Sequence, residues 1–242
     1  MVRVAQRIDF INIVEHGVVL SRTAMFIGHF ALGFAAKRAT PRVSLLVLFV
    51  AAQLADLLWP VFLLLGVETV QIEPGNTAFT PLDFVSYPYS HSLVALIAWG
   101  LLLGFLYSSK TRDRVAFLVI SLLVVSHWVL DFITHRPDMP LYPGGPKFGL
   151  GLWNSVGATV VVEFLMYTAG LWLYVHATRP RDKIGHWAFV GFAVFLLIAY
   201  AANIVGGPPP SVQTLAVFAI IGALLLLLWS WWIDHHRECL RH

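Results

Sequence analysis

The chain has 242 residues, of which 16 are Lys or Arg and 13 are Asp or Glu. At 12% charged and 58% hydrophobic it holds about half the charge of a soluble domain, which excludes a soluble enzyme, and its apolar content excludes a disordered chain. Cys239 is the only cysteine, so there is no disulfide framework, and the formal charge of +3 sits in short loops between apolar runs, which predicts membrane orientation and no nucleic-acid partner.

Residues 1–20 mix apolar and polar positions. Asp9, Asn12, Glu15 and His16 interrupt any signal-peptide core, so an interfacial amphipathic helix is expected there. The apolar run 24–36 is short for a membrane crossing, which takes roughly 20 residues. It is read as a spanning helix, which requires a start near Gly17; the alternative is a half-inserted, re-entrant helix packed on the bundle. Six further runs are long enough or nearly so: 43–66, 91–107, 115–134, 156–177, 186–205 and 213–233. Two connections, 67–90 and 135–155, are longer than helix–helix links need, roughly 2–8 residues, and such loops are commonly functional. A solvated tail over 234–242 is expected to follow. The predicted fold class is all-α: a polytopic membrane helical bundle with six to seven transmembrane or re-entrant helices, in a single integral-membrane domain.

Lys and Arg set the expected orientation. Lys37, Arg38 and Arg42, then Lys110, Arg112 and Arg114, then Arg179, Arg181 and Lys183 fall in alternate loops. The intervening connections are nearly bare: none in 67–90 or 206–212, and Arg136 and Lys147 in 135–155. The positive-inside rule makes the first set and the C-terminus cytoplasmic. Seven crossings would put the N-terminus outside, against the pull of Arg3, Arg7 and Arg22, and a re-entrant first helix removes that conflict.

Ionisable residues inside apolar spans are costly and point to function. Here they are His29, Asp56, His127, Asp131 and Glu163, with His91 at the start of a span and His135 just past the end of one. In Ser126-His127-Trp-Val-Leu-Asp131-Phe-Ile-Thr-His135 the spacing i, i+4 puts His127, Asp131 and His135 on one helix face. A His–carboxylate pair at that spacing can chelate zinc or manganese; it can equally be an ion pair that stabilises the helix. Counted at roughly 1.5 Å per residue, Asp56 and His127 lie at a similar depth. Asp131 lies further out and Glu163 about two turns in from the outer end, so the four converge on the outer half of the membrane. Ser90 is placed to cap the helix that begins near His91. The cluster of Asp234, His235, His236 and Glu238 reads as solvated tail. Nothing in the chain supports ATP-driven transport or a serine triad, since neither a P-loop nor GxSxG occurs.

The order of these motifs resembles the bacterial inner-membrane metal-dependent hydrolases of the YdjM type over roughly residues 24–155. The resemblance is carried by Gly28-His29-Phe-Ala-Leu-Gly33, Ala55-Asp56, Ser90-His91-Ser92, and His127 to Asp131 followed by Thr134 and Tyr142-Pro143-Gly144. The chain departs from that pattern in keeping one aspartate, Asp56, in the acidic motif, and in replacing Arg-Gly-x-Thr before His-Ser with Ser86-Tyr87-Pro88-Tyr89-Ser90. The resemblance implies a bacterial cytoplasmic membrane and a hydrolytic activity class.

Together these readings predict a metal-dependent hydrolase. His29, Asp56, His91, His127 and Asp131 would hold one or two divalent cations, zinc foremost, with Glu163 or Asp131 as general base. Ser90, Ser92, Ser126 and His135 would orient the site, and Arg136 and Lys147 would receive an anionic headgroup, the substrate being a membrane lipid or another amphiphile. An ion- or proton-coupled transporter using the same cluster and a non-catalytic membrane scaffold are the alternatives. The oligomeric state is left open.

Overall fold

The computed structural model describes residues 27–240; the expected interfacial helix over 1–20 and the upstream part of the first apolar run lie outside them. Eight helices follow in chain order. They are α1 (Ile27–Ala39), α2 (Leu45–Ala52), α3 (Leu54–Leu64), α4 (Leu93–Thr111), α5 (Arg114–Thr134), α6 (Val156–Ala177), α7 (Lys183–Val205) and α8 (Val212–His235). Five of these, α4 to α8, are long and apolar enough to cross a membrane, and α2 with α3 makes a bent sixth. Phe105, Leu122, Leu165, Ile198 and Leu228 are each more than 60% exposed, one on each long helix. Such an apolar exterior is stable against lipid and not against water. The protein is a multi-pass, all-α membrane bundle.

Helix ends follow local chemistry. Ser92, Asp113, Ser155, Asp182 and Ser211 each turn a side-chain oxygen onto a first-turn N–H of α4, α5, α6, α7 and α8. Ser92, not Ser90, is therefore the cap of α4. The expected single span over 43–66 is broken at Gln53, where α2 and α3 meet at 58°. Small residues set the close approaches. Gly100 and Gly104 of α4 lie against Ser121 and Phe117 of α5, where the Ser121 hydroxyl donates to the Gly100 carbonyl at 2.9 Å. Gly170 of α6 lies directly on the backbone of Ala31.

That last contact seats α1 at the centre. Ile27, Gly28, His29, Phe30, Gly33 and Phe34 are all buried. Below His29 the rings of Phe30, Phe34, Phe49 and Phe192 pack edge-to-face and stacked at centroid separations of 4.9–6.2 Å.

The two long connections fold together at one end. Strands β1 (Thr69–Ile72) and β2 (Leu82–Ser86) form an antiparallel hairpin, as do β3 (Met139–Pro140) and β4 (Lys147–Phe148). Phe79 N–H donates to the Trp153 carbonyl and Lys147 Nζ to the Val85 carbonyl, joining the two loops into one cap. At the opposite end β5 (Thr178–Pro180) pairs with β6 (Arg237–Cys239). The segment expected as solvated tail is thus built into the fold as far as it is described: Asp234 pairs with Lys37 at 2.9 Å and Arg237 is buried.

Candidate metal centre

Five of the predicted residues meet just under the loop cap, drawn from four places in the chain. His29 comes from α1, Asp56 from the first turn of α3, His91 from the turn before α4, and His127 and Asp131 from the last turns of α5. Donor atoms of His91, His127 and Asp131 lie within 4.8 Å of one another, as do those of His29, Asp56 and His127. The two triads share His127. These buried His and Asp groups can bind a metal ion.

The protons of the two key imidazoles show which way they face. His127 Nδ1 lies 2.9 Å from the Ala52 carbonyl at the α2–α3 break. A carbonyl only accepts, so Nδ1 carries a proton, and in the neutral imidazole the lone pair is on Nε2. His127 Nε2 makes no hydrogen bond, although it is 3.2 Å from Asp131 Oδ2 and 3.7 Å from Asp56 Oδ1. His91 is held in the same way. Its Nδ1 is 2.7 Å from Ser90 Oγ, and that hydroxyl is 2.5 Å from Glu68 Oε2. Glu68 Oε1 accepts from the N–H groups of Tyr89 and Ser90 at 2.8 and 2.9 Å. With its carboxylate an acceptor throughout, the Ser90 hydroxyl donates to Glu68 and accepts from His91. His91 Nε2 then faces Asp56 Oδ1 at 3.5 Å and Asp131 Oδ2 at 3.8 Å, with its lone pair toward them when the ring is neutral. Two imidazole nitrogens and two carboxylates turned on one space repel each other unless a metal ion or protons on the nitrogens lie among them. Imidazole with its far N–H tied to a carbonyl or hydroxyl is the usual dress of a metal ligand.

Asp131 is the hub. His29 Nε2 donates to its Oδ1 at 3.2 Å while Oδ2 faces His127 and His91. The His29 and His127 rings stack at 3.8 Å and 4°, fixing both planes. The side chains of His29, His91, His127 and Asp131 are at most 4% exposed, whereas that of Asp56 is 31% exposed. The cluster therefore opens at Asp56. Trp59 and Tyr87 close it toward the cap, with ring centroids 6.3 and 5.2 Å from that of His91.

Other predicted residues stand elsewhere. Glu163 accepts from Ile27 N–H at 3.2 Å and lies beside Tyr200, in the seam of α1, α6 and α7, so it braces the helix that carries His29. His135 does not continue the His127–Asp131 face: α5 ends at Thr134, and His135 Nδ1 turns to Asp138 Oδ1 at 2.9 Å, beside Trp153 and Phe84. Tyr87 donates to the same Asp138 oxygen at 2.9 Å. Burial, with the Asp138 charge beside it, holds the Tyr87 phenol well above its ordinary pKa, so it stays a donor. Arg136 pairs with Asp83, Asp138 and the Asn76 side chain, and so is neutralised in the cap where an anion receptor was expected. Lys147 is bonded to the Val85 carbonyl. Ser126 donates to Leu123 O of its own helix, and Ser92 to Pro88 O besides capping α4. Of the predicted orienting serines only Ser90 touches a candidate ligand side chain. Sequence reasoning missed Glu68, Asp138 and the Ala52 carbonyl. A lone acid two residues past the end of an apolar run was the only hint of Glu68.

In comparisons with known proteins, no family model, no curated protein and no solved structure matches the chain.

Proposed function

We propose that the protein is a membrane-embedded metal-dependent hydrolase of the YdjM type. The observation that carries the reading is the paired orientation of His91 and His127, each with Nδ1–H tied off and Nε2 turned toward Asp56 and Asp131. His91, His127 and Asp131 would hold a divalent cation, zinc by its liking for imidazole and carboxylate, with His29 donating to Asp131 and Asp56 standing free of the ion at the open edge. Such an ion supplies Lewis acidity and a more acidic water at neutral pH. Asp56, at the open edge, takes a proton from the attacking water and passes it to the leaving group. Asp131, held by His29, keeps the two imidazoles aimed at one point. The Ser90–Glu68 pair fixes the His91 ring.

The substrate is an amphiphile by position. The cap covers the end of the bundle, and Asp56, the exposed member of the cluster, lies on the flank of α3, a membrane helix on which Val61 and Leu64 are also 40 and 47% exposed. A lipid reaches such a flank sideways, headgroup toward the loops. With the basic loops cytoplasmic, that headgroup belongs to the outer leaflet of a bacterial cytoplasmic membrane. A transporter would need a route onward from the cluster. The packed rings of Phe30, Phe34, Phe49 and Phe192 fill that direction and favour hydrolysis over transport.

The test pairs metal analysis with turnover. Purified wild-type protein should hold stoichiometric metal, the His127→Ala protein should hold little, and hydrolysis of phospholipid or a chromogenic phosphoester should stop on chelation and return with zinc. A metal-free wild-type protein, or hydrolysis that survives exhaustive chelation, sinks the proposal.

A further inference from the structure

A second polar feature lies at the other end of the bundle. A pocket of about 380 Å³ brings together the ends of α1, α6 and α8, and its charged lining is Lys37, Arg42, Arg181, Arg237, Asp234 and Glu238. Four cations face two anions. Lys37 is matched by Asp234 at 2.9 Å, and Glu238 is shared by Arg179 at 2.7 Å and Arg181 at 3.8 Å. Among the described residues, Arg42 and Arg237 pair with no carboxylate.

Arg237 is the unusual member. It is 6% exposed, yet its guanidinium is held by neutral groups alone: Nε and Nη2 on Thr178 Oγ1 at 3.2 and 2.9 Å, Nη2 on Thr178 O and Nη1 on Gly185 O, both at 3.3 Å. The rings of Phe189 and Tyr174 lie 4.7 and 5.3 Å away. A buried, rigidly seated positive charge without a counter-ion is expensive, and it draws an anion into the pocket it lines.

The depth of the pocket says what kind of anion. Trp172, Trp187, Trp231 and Trp232 are 44–67% exposed, each about one turn from the same end of α6, α7 or α8. Exposed Trp at one level marks the membrane–water interface. Arg181 precedes α7 by two residues and Glu238 follows α8 by three, so both lie outside that ring, while the Arg237 guanidinium, against Gly185, Phe189 and Tyr174, sits level with it, where lipid headgroups meet the bundle.

We propose that this pocket binds a phosphate-bearing anion at the membrane surface, the headgroup phosphate of an anionic phospholipid being its natural source. The site is independent of the His–Asp cluster at the opposite end.

The full chain in a non-ionic detergent is titrated with dihexanoyl phosphatidylglycerol, dihexanoyl phosphatidylcholine and inorganic phosphate, with binding read from thermal shift. The variant is the double Arg42→Gln, Arg181→Gln protein, since both side chains are exposed and its unliganded melting temperature should match wild type. Phosphatidylglycerol should stabilise wild type saturably and phosphatidylcholine far less. The double variant should bind phosphatidylglycerol about 30-fold more weakly, two surface charges having been removed. Tighter binding of phosphatidylglycerol than of phosphate identifies the headgroup as source; tighter binding of phosphate identifies the free anion, and both keep the site. Three results overturn it: no saturable effect of either anion, equal effects of the two lipids, or unchanged affinity in the double variant.

Discussion

Replacing Ser90 by Ala tests whether the polar chain behind His91 tunes the metal centre. The Ser90 hydroxyl is fully buried between His91 Nδ1 at 2.7 Å and Glu68 Oε2 at 2.5 Å, and no other bond to His91 Nδ1 exists among the described residues. Its loss frees the imidazole to rotate about its side-chain bonds and leaves a buried N–H without an acceptor. Outer partners of metal-bound His typically weigh 10–100-fold in metal affinity, or roughly 1.4–2.8 kcal/mol. One hydrogen bond to a charged group is worth about 1.5–3 kcal/mol, which is the same range reached by a different route. The Ser90→Ala protein should therefore bind zinc 10–100-fold more weakly in competition with a chromogenic chelator. Glu68→Gln, which keeps the acceptor and loses the charge, should fall between the two. The fold should survive, because the backbone N–H of Ser90 still reaches Glu68 at 2.9 Å. Zinc affinity in Ser90→Ala within a factor of two of wild type would refute the reasoning, and with it the role given to Glu68.

Four further outcomes are expected. Asp131→Asn should lose metal and turnover together while its circular dichroism stays helical; wild-type turnover in that protein would contradict the hub role of Asp131. Gly170→Leu should lower stability in detergent by about 1–3 kcal/mol or more, since its Cβ would fall on the Ala31 backbone, whereas Gly222→Leu, with open space around it, should be silent. Burial pushes the Cys239 thiol above its usual pKa. The thiolate is the reactive form, so maleimide labelling should have its half-maximal rate above about pH 8.5, and a midpoint at or below that value would show the thiol unprotected. In a Cys239→Ser background, an impermeant thiol reagent on intact cells should label Glu73→Cys and spare Lys110→Cys, and the reverse pattern would invert the proposed orientation.

The class of the protein was legible in the chain because it depends on sums and short spacings. Twelve per cent charge cannot clothe a soluble surface, and apolar runs of membrane length have one use. His127 and Asp131 share a face because four residues make about one helical turn, a local fact that no packing alters. The approach of Asp56 to that face was also legible from its depth, but the same count put Glu163 there too, and His29 and His91 joined the set mainly through the order of motifs. What tertiary structure decided were the partners over long separations. Asp131 and His29 are 102 residues apart, and Ser90 and Glu68 are 22 apart. The break at Gln53 that presents the Ala52 carbonyl to His127 has no signature in an unbroken apolar run. Nor does the turn after Thr134 that hands His135 to Asp138, or the seat of Glu163 on the backbone of α1. The tail is the plainest case. Asp234 and Arg237 read as solvated because they are charged and follow the last apolar run, yet Lys37 and Thr178, brought to the same end by folding, give them buried partners. Composition and periodicity report what a residue is and which face it occupies; its partner is set by which helices pack together, and that is a property of the whole bundle.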